Sequence, residues 1–203
     1  MKIFCIGHNY REHNRELASA DPAEPVIFMK PDTALLRDNK PFYIPAFSQN
    51  LHYETEIIIK ICRLGKNIAT HFAHRYYNEI GLGIDFTARD LQYKLKAEGK
   101  PWEICKAFDN SAVVGNFMPK EEFPDVEQLR FRLDINQQTV QSGNSADMIF
   151  TINEIIAYIS RFFTLKMGDL IYTGTPSGVG KVEIGDRLEG FIFDNKMFDF
   201  RIK

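Results

Sequence analysis

The sequence has few cysteines, with only three among 203 residues. Cys5, Cys62 and Cys105 lie far apart, and no two of them have the C-x-x-C spacing. This scarcity excludes a framework of several disulfides and gives no sign of a zinc site. We expect the three thiols to be small side chains that fill the core.

Long apolar runs and clusters of basic residues are also lacking. No apolar stretch approaches the roughly 20 residues that span a membrane. The start of the chain, MKIFCIGHNY, turns polar too early for a signal peptide. A net charge of -2 gives no reason to expect nucleic acid. We therefore predict a cytoplasmic protein with no membrane partner and no nucleic-acid partner.

Repeats, low-complexity tracts and linkers are absent as well, so we predict a single domain over residues 1–203. The content of 44% hydrophobic and 26% charged residues is typical of a globular protein with a core. Residues 129–135 alternate as a strand does, and residues 151–163 have helical spacing that starts with a Thr151 and Glu154 capping box. These patterns predict an α+β fold with a mixed or largely antiparallel sheet.

The segment 51–61, LHYETEIIIKI, is predicted to be one β-strand because of its β-branched run. Side chains alternate along a strand, so His52, Glu54 and Glu56 share one face. Two neighbouring carboxylates repel each other, and a divalent metal with oxygen ligands is a candidate for the charge between them. A bare E-x-E is also typical of a solvated edge strand, and at this point both interpretations stay open.

Asp85 closes the apolar strand pattern of residues 79–86, EIGLGIDF. A carboxylate in so apolar a segment needs a partner, because burial without one is costly. Asp85 is therefore either a cap for nearby backbone groups or a third metal carboxylate.

A helix is predicted directly after this strand. Thr87 and Asp90 have the spacing of a capping box. Arg89 and Gln92 then lie three residues apart on the first turn, where they would face the same space as Asp85. An arginine beside carboxylates suits the recognition of a carboxylate substrate, although a plain salt bridge is equally common.

The polar stretch 8–16 has helical composition and places His13 and Glu16 three residues apart. On a helix the two side chains share a face. A histidine beside a carboxylate is the usual arrangement of an oriented general base, because the acid fixes the tautomer of the imidazole. The same pair is also typical of a solvated helix face.

Lys106 stands in the mostly apolar segment 101–110, PWEICKAFDN. Such a lysine is a candidate for partial burial and for pairing with an anion. The alternative is a surface lysine whose alkyl chain alone is buried.

The loop 174–180, GTPSGVG, superficially resembles a phosphate-binding P-loop. Thr175 stands where that motif requires glycine, and Val182 follows Lys181 where it requires serine or threonine, so we reject a P-loop. A tight glycine loop remains, whose backbone N–H groups and Thr175 hydroxyl suit a carboxylate or an oxyanion.

Six ordered blocks together resemble the fumarylacetoacetate hydrolase family over nearly the whole chain. They are GHNYREH, PVIFMKP, the H-x-E-x-E of residues 52–56, GIDFTARDLQ, PWEICKAFD and GDLIYTGTPSGVG. The resemblance is greatest to the single-domain branch that includes acylpyruvate hydrolases and oxaloacetate decarboxylases. It implies a mixed β-roll with a few peripheral helices, a homodimer, and a metal in the mouth of the roll.

The resemblance also implies roles for nine residues. The ligands of Mg2+ or Mn2+ would be Glu54, Glu56 and Asp85. The base dyad on a mobile lid would be His13 and Glu16, and the cation beside the metal would be Lys106. The groups that bind the substrate carboxylate and keto oxygens would be Arg89, Gln92 and Thr175. The chain departs from many relatives at His8, where they carry arginine or another residue before the Asn-Tyr pair, which leaves the substrate preference near the lid open.

The expected function is that of a metal-dependent hydrolase that cleaves a C–C bond in acylpyruvate-type 2-oxo acids. Decarboxylation of oxaloacetate is a further expected activity, since both reactions pass through an enolate. Two alternatives stay open. The first is a 2-hydroxydienoate hydratase, a tautomerase or an isomerase-decarboxylase on the same fold. The second is a non-catalytic protein that binds a metal or a 2-oxo acid.

Overall fold

The computed structural model describes residues 1–203 and contains fourteen strands. In chain order they are β1 (Ile3–Gly7), β2 (Val26–Lys30), β3 (Leu35–Leu36), β4 (Leu51–Tyr53), β5 (Thr55–Ile61), β6 (Tyr77–Asp85), β7 (Thr87–Ala88), β8 (Ala112–Pro119), β9 (Arg130–Ile135), β10 (Gln138–Asn144), β11 (Leu170–Tyr172), β12 (Gly180–Lys181), β13 (Arg187–Ile192) and β14 (Asn195–Arg201).

Four α-helices accompany the strands: α1 (Arg11–Glu16), α2 (Arg89–Ala97), α3 (Glu103–Lys106) and α4 (Ile152–Phe162). Short 3-10 helices cover Asp32–Ala34, Thr70–Arg75, Lys120–Glu122 and Ser145–Asp147. No helix has the length and apolar character needed to cross a membrane.

The strands form three sheets. The largest has seven strands in the order β2-β1-β11-β5-β6-β8-β3, and it mixes parallel and antiparallel pairs. A four-stranded antiparallel sheet has the order β10-β9-β13-β14, and a small third sheet has the order β12-β4-β7. This curled mixed sheet with few helices confirms the predicted α+β roll.

A large cluster of buried apolar side chains joins the sheets and α4. It includes Phe4 of β1, Ile57 of β5, Phe131 of β9 and Ile156 of α4. Two of the three thiols, those of Cys5 and Cys105, are buried as expected, while Cys62 is partly exposed.

The predicted single strand over residues 51–61 is wrong in one respect. The structure divides it at Glu54 into β4, which pairs with β7 and β12, and β5, which pairs with β6 and β11. The chain passes from the small sheet to the large one at this residue. The strand alternation that placed His52 on the face of Glu54 and Glu56 therefore does not continue through the break.

The predicted capping box at the start of α2 is also wrong. The helix begins after Ala88 without a side-chain cap. Thr87 instead belongs to β7 and pairs with His52. The Asp90 carboxylate accepts hydrogen bonds from the Ser48 hydroxyl at 2.7 Å and from the backbone N–H of Gln49 at 2.9 Å. The pairing of β4 with β7 thus overrides the local capping signal.

The predicted capping box of α4 is confirmed. The Thr151 hydroxyl accepts the backbone N–H of Glu154 at 3.3 Å, and the Glu154 carboxylate accepts the backbone N–H of Thr151 at 2.8 Å. The helix packs apolar residues such as Ile155 and Ile159 into the core, so the cap stabilises an element of that core.

Thr151→Ala is expected to lower the free energy of unfolding by about 1 kcal/mol, because it removes the side-chain cap of α4. Urea unfolding of the metal-free protein measures this difference. Thr164→Ala is the matched control, since Thr164 is an exposed threonine just beyond the other end of α4. A loss of the same size in both variants would contradict a specific contribution of the cap.

Candidate active site

Three carboxylates meet where β5 and β6 lie side by side. Glu54 precedes β5, Glu56 lies on β5, and Asp85 ends β6. The backbone N–H of Asp85 donates to the carbonyl of Glu54 at 2.8 Å, which ties the two segments together. One oxygen from each carboxylate lies within 4.8 Å of the others, and the residues are 5%, 2% and 0% exposed.

Gly83 lets the strands around the carboxylates approach closely. It lies opposite Glu56 in the β5–β6 register. A Cβ atom at this position would lie 2.0 Å from the carbonyl oxygen of Val113 and 2.5 Å from the Ile58 side chain. Any larger residue would push β6 away from β8 and would move Asp85 at its end.

Two cations bind the carboxylate of Glu54. Lys106 Nζ lies 2.7 Å from Glu54 Oε2 and 2.8 Å from Asp85 Oδ2, so it bridges the two acids. Arg89 Nη2 lies 2.5 Å from Glu54 Oε1, and Arg89 Nη1 donates to Gln92 Oε1 at 2.6 Å. Because Lys106 and Arg89 are themselves buried, these ion pairs are only weakly screened by solvent.

A third buried cation, Lys30 of β2, holds the far side of the cluster. Its Nζ lies 2.7 Å from Asp85 Oδ1. It also donates to the Lys106 carbonyl and, at 3.0 Å, to the Ser111 hydroxyl. Lys30 therefore fixes both a carboxylate and the backbone of α3, which carries Lys106.

The three carboxylates differ in their proton affinity. Burial by itself raises the pKa of Glu54, but Lys106 and Arg89 outweigh it and hold that pKa well below its usual range. Glu56 has no cation of its own, and it accepts only the backbone N–H of Gly174 at 2.7 Å. Burial, followed by the charges of Asp85 and Glu54, raises the pKa of Glu56 well above its usual range.

These residues fit a divalent metal ion. The donor set consists only of carboxylate oxygens, which hard cations such as Mg2+ and Mn2+ prefer. Asp85 Oδ1 receives no well-directed hydrogen bond, although Lys30 lies close to it. The charges of Asp85 and Glu54 repel that of Glu56, and a cation between them would relieve this repulsion. Glu54, Glu56 and Asp85 would therefore hold the ion.

His13 of α1 lies on the wall of the same pocket, and Glu16 lies behind it. His13 Nδ1 is 3.2 Å from Glu16 Oε2, so the carboxylate fixes the proton on Nδ1 and leaves Nε2 as an acceptor. Burial lowers the pKa of His13, although Glu54 and Glu16 oppose this. A neutral imidazole with a free Nε2 is suited to general base chemistry near neutral pH.

The glycine loop after β11 connects the His13–Glu16 dyad to the cluster of three carboxylates. Gly178 has a φ of 96° and donates its N–H to Glu16 at 3.1 Å, while Gly174 has a φ of 101° and donates to Glu56. The Thr175 hydroxyl donates to the Thr55 carbonyl at 2.9 Å and accepts from Gln141 at 2.7 Å. The backbone at both glycines lies in the left-handed region, which favours glycine.

The structure brings the sequence-predicted site residues into one place. Eight of them line one narrow pocket with a cavity volume of about 30 Å³: His13, Glu54, Glu56, Asp85, Arg89, Gln92, Lys106 and Thr175. The ninth, Glu16, touches the pocket through His13. All three expected substrate-binding residues already make hydrogen bonds within the protein: Arg89 donates to Glu54 and Gln92, and Thr175 donates to Thr55.

Sequence reasoning missed two residues that support the site. Lys30 stands in the apolar strand PVIFMKP, and a lone lysine in such a run was a usable signal for a buried ion pair. Gln141 orders the loop from β10, where its amide donates to Thr175 and its carbonyl accepts the backbone N–H of Thr55 at 3.0 Å. No signal marks Gln141, because it lies in a polar stretch.

Acids, cations and a His–Glu dyad around one buried pocket, in a roll of mixed sheets, are typical of the class of enzymes that act on small molecules. Within that class the chain belongs to the fumarylacetoacetate hydrolase family. The family model described as fumarylacetoacetate (FAA) hydrolase C-terminal matches residues 2–197. The family resemblance seen in the sequence is thereby confirmed.

Several relatives of this chain are enzymes. The mitochondrial oxaloacetate tautomerase FAHD1 of Bos taurus is 39% identical over 99% of this chain and 91% of its own length. The oxaloacetate tautomerase YcgM of Escherichia coli K12 is 42% identical over 92% and 86%. The structure of fumarylpyruvate hydrolase from Pseudomonas aeruginosa in complex with Mn2+ and pyruvate is similar with a TM-score of 0.94, at 34% identity over 100% and 89%.

Glu56→Gln is expected to raise the free energy of unfolding of the metal-free protein at neutral pH, because a neutral amide removes the repulsion from Glu54 and Asp85. The gain should shrink as the pH falls. Folded wild-type protein then takes up a proton at Glu56, whose pKa is raised, and the unfolded chain does not. Urea unfolding with a chelator at several pH values measures both effects.

Glu54→Gln is the matched variant for this prediction. It should lower the free energy of unfolding by about 3–5 kcal/mol, because it leaves Arg89 and Lys106 without their buried counter-charge. Both variants should lose affinity for Mn2+. Effects of equal sign and size on the stability of the metal-free protein would contradict the unequal charge balance of Glu54 and Glu56.

Proposed function

We propose that the protein is a metal-dependent enzyme that enolises 2-oxo acids at C3, with oxaloacetate as a substrate. One observation carries this proposal: the Glu54, Glu56 and Asp85 carboxylates, the bridging ammonium of Lys106 and the imidazole of His13 all face one buried pocket. A non-catalytic binding protein has no need of an oriented base beside such a cluster.

A divalent cation, Mg2+ or Mn2+, would polarise the carboxylate and the 2-oxo group of the substrate. Lys106 supplies a fixed positive charge at the same wall of the pocket. Burial by itself would lower the pKa of Lys106, but Asp85 and Glu54 raise it, so the side chain stays protonated. This charge stabilises the negative charge that develops on the C2 oxygen when C3 loses a proton.

His13 is the base in this proposal. Its Nε2 accepts a proton from C3 of oxaloacetate, and return of that proton to the C2 oxygen completes the conversion of the keto form to the enol form. Glu16 keeps Nδ1 protonated and stabilises the imidazolium while the proton is on the ring. Oxaloacetate as the substrate is supported by the two oxaloacetate tautomerases that resemble the chain over nearly its whole length.

Hydrolysis of acylpyruvates is the second candidate. It is favoured by the anchored dyad, because Glu16 is held by the N–H of Gly178 as well as by His13, an arrangement that suits activation of a water molecule. The similar structure of fumarylpyruvate hydrolase supports the same chemistry. Water would add to the distal carbonyl, the C–C bond would break, and C3 of the pyruvate released would take up a proton.

His13→Gln is expected to lower kcat for oxaloacetate by about 10²–10⁴, the usual contribution of a positioned base. Binding of Mn2+ should be unchanged, because His13 is not among the carboxylates of the cluster. The rate is followed by the absorbance of the enol, with and without chelator. His74→Gln is the control, since His74 is exposed and does not line the pocket.

Product analysis separates the two candidates. Enol formation without release of pyruvate indicates tautomerisation of oxaloacetate, whereas acetate and pyruvate from acetylpyruvate indicate C–C hydrolysis. Full activity of the wild-type protein after removal of all divalent metal would overturn both proposals.

A further inference from the structure

Lys96 is a cation at the pocket without an acidic partner. It lies in the last turn of α2 and lines the pocket, where it makes no ion pair and no hydrogen bond within the protein. Its ammonium lies 5.3 Å from the centre of the Trp102 ring. The other cations around the cluster, Lys30, Lys106 and Arg89, are already paired with carboxylates. Lys96 is the positive charge that remains for a ligand.

The surroundings of Lys96 favour an anion next to it. Lys96 is exposed at the mouth of the site, yet burial of its ammonium lowers its pKa, and Arg89 and Lys106 lower it further. A negatively charged group beside the ammonium would relieve this repulsion.

His8 lies at the same part of the pocket. Its side chain lines the pocket with the ring centre 6.5 Å from that of Trp102, and its backbone has a φ of 61°. Burial and, after it, the charge of Lys96 lower the pKa of His8. Lys96 and His8 thus face the same region beside Trp102.

Asn14 fixes the tautomer of His8. The Asn14 amide nitrogen donates to the His8 carbonyl at 3.1 Å and to the Asp21 carboxylate at 2.8 Å, both of which only accept. The amide oxygen of Asn14 must therefore accept from His8 Nδ1, at 3.1 Å. Neutral His8 then has an unprotonated Nε2, which repels a carboxylate, whereas protonated His8 donates from Nε2.

The balance of charge supports a ligand with two negative charges. The three buried carboxylates are equal in number to the buried cations Lys30, Lys106 and Arg89, although none of these cations pairs with Glu56. A bound divalent cation then adds two positive charges, and Lys96 adds a third. A dicarboxylate compensates this excess better than a monocarboxylate does.

We propose that Lys96 and protonated His8 form a subsite for the second carboxylate of a dicarboxylic 2-oxo acid. This inference rests on the proposed function, in which a divalent cation on the three carboxylates would hold the first carboxylate of the substrate. It assigns the choice between dicarboxylic and monocarboxylic substrates to these two side chains. Binding of the dicarboxylate is coupled to uptake of one proton by His8.

Lactate and malate test the subsite, because both are unreactive 2-hydroxy acids and only malate has a second carboxylate. Calorimetry with the Mg2+-loaded protein is expected to show that wild type prefers malate by about tenfold or more, as a charge-assisted hydrogen bond predicts. Lys96→Met should abolish most of this preference while the affinity for lactate stays within about twofold. Lys94→Met, from the same turn of α2 but outside the pocket, should leave the preference intact.

The pH dependence tests the part played by His8. The charged groups that act on His8 are Lys96 of α2, His13 of α1 and Glu54 beside β5, with Asp21 behind Asn14. Affinity for malate should fall as the pH rises through the lowered pKa of His8, while affinity for lactate changes less. His8→Asn, which tolerates the left-handed backbone, should give weak malate binding without this additional pH dependence.

Equal losses of malate and lactate affinity in Lys96→Met would overturn the subsite, because they would show a general effect of charge. An unchanged malate preference in that variant would overturn it as well. If wild type prefers malate through Lys96 but does not enolise oxaloacetate, the proposed reaction fails and the subsite stands.

Discussion

Burial of three carboxylates within 4.8 Å of one another is the constraint that the rest of this structure satisfies. Like charges at this distance and in a medium of low polarity repel strongly. Lys106 bridges Glu54 and Asp85, and Lys30 and Arg89 hold their outer sides. Glu56 is the one acid without a cation, so its negative charge is left uncompensated. A divalent metal ion bound there would relieve the largest repulsion in the cluster.

The topology of the large sheet explains how these groups come together. β5 lies between β11 and β6, so the glycine loop that follows β11 begins next to Glu56 and the end of β6 places Asp85 beside Glu54. The same loop reaches α1 through Gly178 and Glu16. The acid cluster and the His–Glu dyad are therefore held by one short stretch of backbone, which explains why residues far apart in sequence line one pocket.

An all-carboxylate cluster with fixed cations suits the chemistry of 2-oxo acids. It combines oxygen ligands for a hard metal ion with positive charge for the anion that enolisation produces. The reactions named for the relatives, tautomerisation of oxaloacetate and hydrolysis of fumarylpyruvate, share this requirement. His8, Lys96 and Trp102 line the same pocket beside these groups.

Local patterns in the sequence predicted the α+β class and the capping box of α4, because periodicity and residue type determine which face a side chain occupies. The nine site residues were assigned by the family resemblance, since the local patterns left a structural alternative open for each of them. They did not predict the break at Glu54 or the missing cap at Thr87, since the pairing of β4 with β7 decides both. Which cation meets which carboxylate was decided by tertiary structure alone. Three strands, β1, β11 and β5, separate β2 from β6 in the large sheet, so Lys30 reaches Asp85 only because that sheet curls, and no local rule encodes such a contact.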